Sequence, residues 1–263
     1  MLRAIIIVLF LAVSASIRAQ IAGDNAQNYP TTVGSGVWND GDNFGFGFEP
    51  WQFVVTGSAG MFLGDSTQNG GAGLGDAFSS GGINSPNNRA WGVFANNGGT
   101  ADAIRPFQSA LAVGQTFSVD FDNGFIDAGS SDGVILASTT GTVLWEFLFT
   151  GGQSAYQIFD SRGLVNTTLP FTDDGMHIEF LLTSPTSYTF FIQQAAGPAA
   201  IISGNLAAAG AIGQFAFFDH NAGFNSSNNV YANSLEIIPE PSTFSLVTGS
   251  LMIAATFFLR RNR

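Results

Sequence analysis

Residues 116–126 read Thr116-Phe117-Ser118-Val119-Asp120-Phe121-Asp122-Asn123-Gly124-Phe125-Ile126, and this stretch decides the fold class. Its apolar side chains alternate with polar ones, which predicts a β-strand with one buried face and one wet face. The Asn-Gly pair that follows is typical of a type I′ hairpin turn. The stretch therefore predicts antiparallel strands joined by tight turns.

Short strands separated by turn signals continue toward the C-terminus. The ranges 133–138, 142–150 and 155–160 predict a meander, because Gly-containing dipeptides separate them. Residues 176–182 alternate again and predict a hairpin with residues 188–193. No long helical period is present. The sequence thus predicts one all-β domain over residues 20–238, an antiparallel β-sandwich of the jelly-roll or lectin-like kind.

Other parts of the body carry weaker patterns. Residues 39–47 and 57–88 are rich in Gly and Asn and are predicted to be long loops. Residues 197–213 favour a short strand with a loop or a brief helix. The range 230–237 predicts a terminal strand, which we expect to pair with an N-terminal strand at 51–56 in the same sheet.

Residues 1–19 have the three-part pattern of a secretory signal peptide. Arg3 gives a basic start, residues 4–13 are apolar, and residues 14–19 supply small side chains. Cleavage is expected between Ala19 and Gln20. A permanent anchor is the alternative, but an apolar core of ten residues is short for a bilayer. The mature chain is therefore expected to pass through the secretion translocon.

The last 25 residues combine three features of a membrane-sorted protein. The motif Pro239-Glu240-Pro241-Ser242 stays extended, because proline fixes φ and has no N–H to donate. Residues 243–259 carry no charge and are long enough, as a transmembrane helix, to cross a roughly 30 Å hydrocarbon core. The basic tail 260–263, with Arg260, Arg261 and Arg263, favours a cytoplasmic C-terminus. The body is therefore expected to lie outside.

This order of motif, apolar segment and arginine cluster resembles the PEP-CTERM sorting tail of Gram-negative bacterial surface proteins. The resemblance implies that a membrane-embedded exosortase recognises Pro239, Glu240 and Pro241 and cleaves near them. It also implies an inner-membrane intermediate and delivery to the cell surface or the extracellular matrix. An ordinary single-pass anchor behind a stiff proline linker is the alternative, and it also places the body outside.

The body itself resembles β-sandwich proteins that occur with PEP-CTERM tails in Verrucomicrobia-like bacteria. The likeness covers most of residues 50–238 and implies no activity. It rests on Arg89-Ala90-Trp91-Gly92, on Leu-Ala-Val-Gly-Gln-Thr-Phe at 111–117 with Asp-Phe-Asp-Asn-Gly at 120–124, and on Phe-Asp-His-Asn-Ala-Gly at 218–223.

The composition excludes several classes of function. Residues 20–238 hold 18 acidic residues against three arginines and no lysine, a formal charge of −15 that repels nucleic acid and anionic lipid. The chain has no cysteine, which excludes thiol catalysis, Cys-ligated zinc and iron–sulfur chemistry. No phosphate-binding loop is found among the glycines. No cofactor is therefore expected.

Hydrolytic chemistry on sugars would need two carboxylates across a cleft. Glu146 and Glu179 are the only glutamates deep in predicted strands. Glu146 lies in the apolar run 143–149, where a charge needs a partner, such as Arg105 or Arg162, or a function. The sequence offers one carboxylate per strand, whereas lectin-fold hydrolases commonly place two in one strand motif. We therefore expect a protein that is not an enzyme.

Two further sets of residues are candidates for binding. Four aspartates within thirteen residues are weak candidates for a calcium site, because Ca²⁺ prefers hard oxygen ligands from turns; the alternative is aspartates that only form turns. They are Asp120, Asp122, Asp127 and Asp132. Tryptophans can stack on sugars, but Trp145 is predicted to be core, and core is also favoured for Trp51 and Trp91.

The sequence as a whole favours a secreted, surface-sorted structural or matrix-associated protein. Its expected partners are the exosortase, the translocon and the membrane, through the C-terminal helix, with exopolysaccharide as a candidate. A carbohydrate-binding, lectin-like module is the alternative function, and a lectin-fold glycoside hydrolase is the third.

Overall fold

The structure, a computed structural model, describes residues 20–30, 34–69, 83–85, 88–195 and 197–239. The signal peptide, its last residue Ala19, and everything after Pro239, including the apolar segment 243–259, lie outside the described residues. In the ranges that are described, no helix is long and apolar enough to cross a membrane. The helices found there are three single 3-10 turns, Ala26–Asn28, Ser66–Gln68 and Ser226–Asn228.

The described residues form sixteen strands. They are β1 (Ala22–Asp24), β2 (Gly34–Ser35), β3 (Gln52–Thr56), β4 (Ala59–Gly64), β5 (Ala90–Ala95), β6 (Thr100–Pro106), β7 (Thr116–Asn123), β8 (Ser131–Ser138), β9 (Val143–Thr150), β10 (Ala155–Asp160), β11 (Gly163–Pro170), β12 (Met176–Leu182), β13 (Ser187–Gln194), β14 (Ala199–Asn205), β15 (Ile212–His220) and β16 (Val230–Ile238).

These strands pair into two antiparallel sheets. Sheet I has nine strands in the order β14-β13-β12-β7-β16-β5-β4-β2, with β1 also paired to β16. Sheet II has seven strands in the order β11-β10-β9-β8-β15-β6-β3. Buried apolar residues from both sheets form one continuous core between them. The prediction of an all-β antiparallel sandwich is therefore confirmed.

Local strand predictions are confirmed where the pattern alternates or where turns are short. The meander predicted over residues 133–160 is β8, β9 and β10, which are neighbours in sheet II. The hairpin predicted at 176–193 is β12 and β13. Residues 57–88 are not all loop, because β4 forms at Ala59–Gly64.

The predicted type I′ hairpin at Asn123-Gly124 is wrong. That turn needs positive φ at both residues, and neither residue has it. After β7 the chain instead crosses to β8 in sheet II. At Gly124 the backbone lies close to that of Ser227. A Cβ at Gly124 would lie 2.1 Å from the carbonyl oxygen of Ser227, so this position requires glycine.

The predicted pairing of the last strand with residues 51–56 is also wrong. β16 lies in the middle of sheet I between β7 and β5, whereas β3 is the edge of sheet II. The N-terminal strand that pairs with β16 is β1, with Ala22 opposite Ile237. Strand pairing between distant segments depends on the whole topology, which no local pattern contains.

The tryptophans lie in the core. Trp38, Trp51, Trp91 and Trp145 are each at most 1% exposed. Trp145 contacts Phe190 with ring centroids 4.5 Å apart, in the edge-to-face geometry that aromatic pairs prefer. The prediction of core positions is thus confirmed, and the idea that tryptophans form sugar platforms is wrong.

The body's arginines have partners other than Glu146. Arg105 donates to Asp24 at 2.6 Å, and both side chains are fully buried. Arg162 pairs with Asp160 at 2.7 Å. The expected pairing of either arginine with Glu146 is therefore wrong, so another account of Glu146 is needed.

Candidate binding site on the outer face of sheet II

The direction of each side chain in sheet II follows from its parity along the strand. On β15, Phe215 and Phe217 face the core. Because side chains alternate along a strand, Phe218 and His220 point outward. On β9, Glu146 points outward because its neighbours in the sequence are core residues. The outer face of sheet II therefore carries an aromatic ring, an imidazole and a carboxylate.

Register places these outward residues in rows that cross the sheet. One row is Glu146, Ile135, Ala216 and Ile104; the next is Leu148, Gly133, Phe218, Asp102 and Val54. Within each row, side chains on neighbouring strands lie within contact distance of each other. The strands therefore fix the relative positions of the site residues before any ligand arrives.

Phe218 is 1% exposed although it points away from the core. Sheet I covers only the opposite face, so this burial comes from the side chains around the ring. Gly133, the next residue in the row, adds no side chain, and a Cβ there would lie 2.3 Å from the carbonyl oxygen of Phe147. The ring of Phe218 is therefore covered by its neighbours on the outer face of sheet II, which include His220.

Ionisable groups lie on the same face. The Nε2 atom of His220 lies 3.0 Å from Oδ1 of Asp102, and the two side chains are partly exposed. The imidazole ring also lies against Phe218, with ring centroids 4.5 Å apart. Glu146, which is half-buried, adds a second carboxylate to the face. The outer face of sheet II thus offers acceptors, a donor and an imidazole ring.

The charges of these groups depend on one another. Burial raises the pKa of Glu146, while the nearby His220 lowers it and Asp102 raises it. Burial alone would lower the pKa of His220, but its hydrogen bond to Asp102 and the surrounding carboxylates raise that pKa overall. The contact between His220 and Asp102 therefore favours an imidazolium–carboxylate pair.

Glu179 lies on the other side of the molecule. It is on the outer face of sheet I, where Nε2 of His177 lies 3.5 Å from its Oε1 and Nδ1 of His177 lies 2.7 Å from Asp120. Glu146 and Glu179 are thus separated by the thickness of two packed sheets, which is about 10 Å between their backbones. The structure does not bring these two glutamates together as a hydrolytic pair.

The four candidate calcium ligands are dispersed as well. Asp120 is on the outer face of sheet I; Asp122 is buried and accepts from Nδ2 of Asn69 at 2.9 Å; Asp127 is exposed in a loop; Asp132 faces the core. Across the described ranges, no three acidic or histidine side chains are arranged to hold a metal ion. These four aspartates therefore do not form one centre there.

A pair of buried carboxylates lies directly opposite in the sheet and was not predicted. Asp132 on β8 faces Asp219 on β15, and both are at most 1% exposed. Asp219 accepts hydrogen bonds from the backbone N–H groups of Ala95 and Ala222, both at 2.9 Å. Neither carboxylate oxygen of Asp132 has a hydrogen-bond partner among the described residues.

Burial sets the protonation of this pair. It raises the pKa of Asp219 to about 7 and that of Asp132 well above its ordinary value, which the charge of Asp219 raises further. Alternation along β15 is the signal that places Asp219 inside, but the run Phe215-Ala216-Phe217-Phe218 is apolar on both faces and hides it.

A separate pocket of about 320 Å³ lies at the ends of β7 and β9. It is lined by Phe125, Ile126, Ala128, Phe149, Gly152, Gln153 and Phe171. Gln153 is the single polar side chain of that lining. The pocket therefore lacks the several polar groups that orient a ligand rich in hydroxyls.

Comparisons with known proteins identify no family. No family model matches the chain, and no curated protein matches its sequence. Several solved structures are similar in shape at low identity. They include the catalytic domain of a glycoside hydrolase family 131 protein from Coprinopsis cinerea, with a TM-score of 0.45, 13% identity, and coverage of 71% of this chain and 82% of that one.

Two other solved structures are similar at low identity. Galectin LEC-6 from Caenorhabditis elegans has a TM-score of 0.37 at 11% identity, and the match covers 51% of this chain and 88% of that one. The receptor binding domain of botulinum neurotoxin C/D mosaic serotype has a TM-score of 0.46 at 9% identity, with 88% and 51% covered. The chain thus spans about half the length of that domain. No site residue is carried over from any of these proteins.

Proposed function

We propose that the sandwich binds carbohydrate on the outer face of sheet II. The observation that carries this proposal is the group of partly exposed side chains on that face, Asp102, His220 and Glu146, which influence one another's charge. A sheet surface without a ligand usually carries scattered polar residues. Two carboxylates grouped with an imidazole ring instead supply the mixed apolar and polar contacts of a binding site.

The chemistry of the groups selects sugars among small ligands. A sugar ring presents C–H faces, which pack against an imidazole ring, and hydroxyls, which donate to carboxylates and accept from an imidazolium. Asp102 and Glu146 supply the acceptors, and His220 supplies the donor. Because these side chains project from paired strands, little ordering is required on binding.

Charge then distinguishes between classes of polysaccharide. The body has a formal charge of −15, and the proposed site itself contains two carboxylates, Asp102 and Glu146. Uronic-acid or sulfated glycans would be repelled by this field, whereas neutral glycans would not. The ligand is therefore proposed to be a neutral polysaccharide of the extracellular matrix.

Binding is tested with the domain of residues 20–239 against soluble neutral glucans, mannans and galactans, by calorimetry. We expect Glu146→Gln to weaken binding at least tenfold, because a neutral amide accepts a hydroxyl proton less strongly than a carboxylate. Glu179→Gln, on the outer face of sheet I, is the matched control and should bind like the parent. Absence of binding to every neutral glycan, or equal losses in both variants, would refute the proposal.

The hydrolase alternative can be tested on the same face of sheet II. Glu146 has a raised pKa and shares the face with the second carboxylate Asp102, which is the kind of asymmetry that acid catalysis uses. Release of reducing ends by the parent domain, lost in Glu146→Gln and in Asp102→Asn, would identify a hydrolase. Binding without release of reducing ends would identify a binding module.

For the two ends of the chain we propose export and PEP-CTERM sorting. Support comes from the sequence features of residues 1–19 and 239–263, and from β16, which ends at Ile238 immediately before Pro239. Fractionation of cells should show that Pro239→Ala combined with Pro241→Ala leaves the protein unprocessed in the membrane. Pro185→Ala, in a turn of the body, is the control. Normal surface release of the double variant would exclude motif recognition.

A further inference from the structure

The edges of the two sheets differ in how they are protected. A strand at a sheet edge presents unpaired N–H and C=O groups, and proteins usually block such edges with lysine, other charges, proline, bulges or short strands. This chain has no lysine. The edge strands are β14 and β2 in sheet I, and β11 and β3 in sheet II.

Two of the edges are blocked simply. β2 has two residues, which is too short to accept a partner strand. On β3, the backbone N–H of Phe53 donates to Oδ1 of Asp40 at 2.8 Å. This hydrogen bond occupies an edge donor and places a carboxylate against the edge.

β11 is blocked by irregular geometry. Its register with β10 shifts between Ala155 and Gln157, where β11 contains extra residues. The hydroxyl of Thr167 donates to the carbonyl of Tyr156, and the N–H of Leu169 donates back to that hydroxyl. A bulge with its own internal hydrogen bonds twists the edge away from a straight partner.

β14 carries none of these devices along most of its length; only at its end does the N–H of Ser161 donate to the carbonyl of Asn205, at 3.0 Å. All seven of its residues, Ala199–Asn205, pair with β13 without a register shift. None of the seven is charged, and none is proline. In the part of the chain that the structure describes, no other strand pairs with β14. Ile201, in the middle of the strand, is 71% exposed.

We propose that β14 is an association surface, where a second copy of this chain pairs with it edge to edge. Two copies of an uncharged strand, antiparallel across a two-fold axis, place no like charges opposite each other, although the body carries a formal charge of −15. The pair would join two copies of sheet I into one continuous sheet, independently of glycan binding on sheet II.

The repulsion between two acidic bodies predicts how the association depends on salt. At physiological ionic strength charges are screened beyond about 8 Å, whereas at low salt the repulsion acts over a longer range. Main-chain hydrogen bonds between edges do not have this dependence. Association is therefore expected to strengthen as salt increases.

The test is sedimentation of the full-length protein in a mild detergent, at low and at physiological salt. We expect a dimer that is favoured by salt, and we expect Ile201→Lys to raise the dissociation constant at least tenfold. Leu164→Lys is the matched control, because Leu164 is a 52% exposed aliphatic side chain on the blocked edge β11. A monomeric parent at every concentration, or equal effects of the two lysines, would overturn the proposal.

Cross-linking then tests the pairing geometry. Because the chain contains no cysteine, single substitutions at Ala199, Ile201 and Ser203 each give a unique thiol. Antiparallel pairing about a two-fold axis predicts disulfide-linked dimers in high yield at the position nearest the axis and lower yields on either side. Equal yields at all three positions, or an equal yield for Leu164→Cys, would contradict strand pairing at β14.

Discussion

At one end of the sandwich, sheet II has an aromatic residue on its outer face and an acidic residue on its inner face, the reverse of the usual arrangement. On the outer face, the large aromatic side chain of Phe218 is buried although it points away from the core. On the inner face, the next residue, Asp219, lies opposite Asp132, so that two carboxylates face the core. Elsewhere in sheet II, apolar side chains such as Trp145 and Phe147 point inward in the usual way.

The inversion shows where stability alone does not explain the sequence. Two carboxylates in a core cost free energy, and a phenyl ring outside it gains little unless neighbouring side chains cover it. Places where local rules fail are expected at functional sites. The comparison thus agrees with the proposed site on the outer face of sheet II and identifies the carboxylate pair beneath it as a source of pH sensitivity.

Truncation of the outward ring should have the largest effect on the free energy of unfolding. We expect Phe218→Ala to destabilise the domain by about 3 kcal/mol, near the cost of deleting a core phenylalanine. The matched variant is Phe191→Ala, at a partly exposed outward position on sheet I, and it should lose less than half as much. Urea denaturation measures both. Equal losses would mean that sheet II does not enclose Phe218.

The inner face should produce a pH dependence. A buried acid with a raised pKa holds its proton in the folded state after the unfolded state has released it, so stability is highest below about pH 4 and falls as pH rises through about 7 for Asp219. Asp132→Asn removes one like charge and one titration. The fall in stability between pH 5 and 8 should therefore be smaller in this variant than in the parent.

Urea denaturation across this pH range measures the effect. Asp127→Asn, at an exposed loop position, is the control and should leave the profile unchanged. A parallel fall in the parent and in Asp132→Asn would show that the carboxylate pair does not account for the pH dependence.

The smallest effect should come from the outer face of sheet I, where His177 has two acidic neighbours. Hydrogen bonds to Asp120 and Glu179 raise the pKa of His177 to about 9. Its contribution to stability is therefore complete below about pH 6.5 and lost as pH rises through about 9. His177→Gln should cost up to about 1 kcal/mol at pH 6 and nothing at pH 10. Equal costs at both pH values would point to packing instead of charge.

The sequence predicted what depends on neighbours along the chain. Alternation in residues 116–122 and 176–182 fixed which side chains of β7 and β12 face the core, because period two is a property of the strand itself. The short turns of the β8–β10 meander were likewise local. The all-β sandwich followed from many such signals in agreement.

The remaining features depend on contacts between distant residues. Asn123-Gly124 has the composition of a hairpin turn, yet β7 pairs with β12 and β16, and the chain leaves the sheet there. The direction of Phe218 was hidden within four apolar residues. Glu146 and Glu179 looked equivalent in the sequence because both lie in strands, and only sheet assignment separates them.

The position of β16 has a mechanical consequence. This strand lies between β7 and β5, also pairs with β1, and leads without a linker to Pro239. A pulling force applied through the residues after Pro239 therefore loads the centre of a sheet along the strand axis, where the hydrogen bonds on both sides must shear together before any one of them opens. A strand at the sheet edge would instead unzip one bond at a time, so tension on the tail meets the most tear-resistant part of the sandwich.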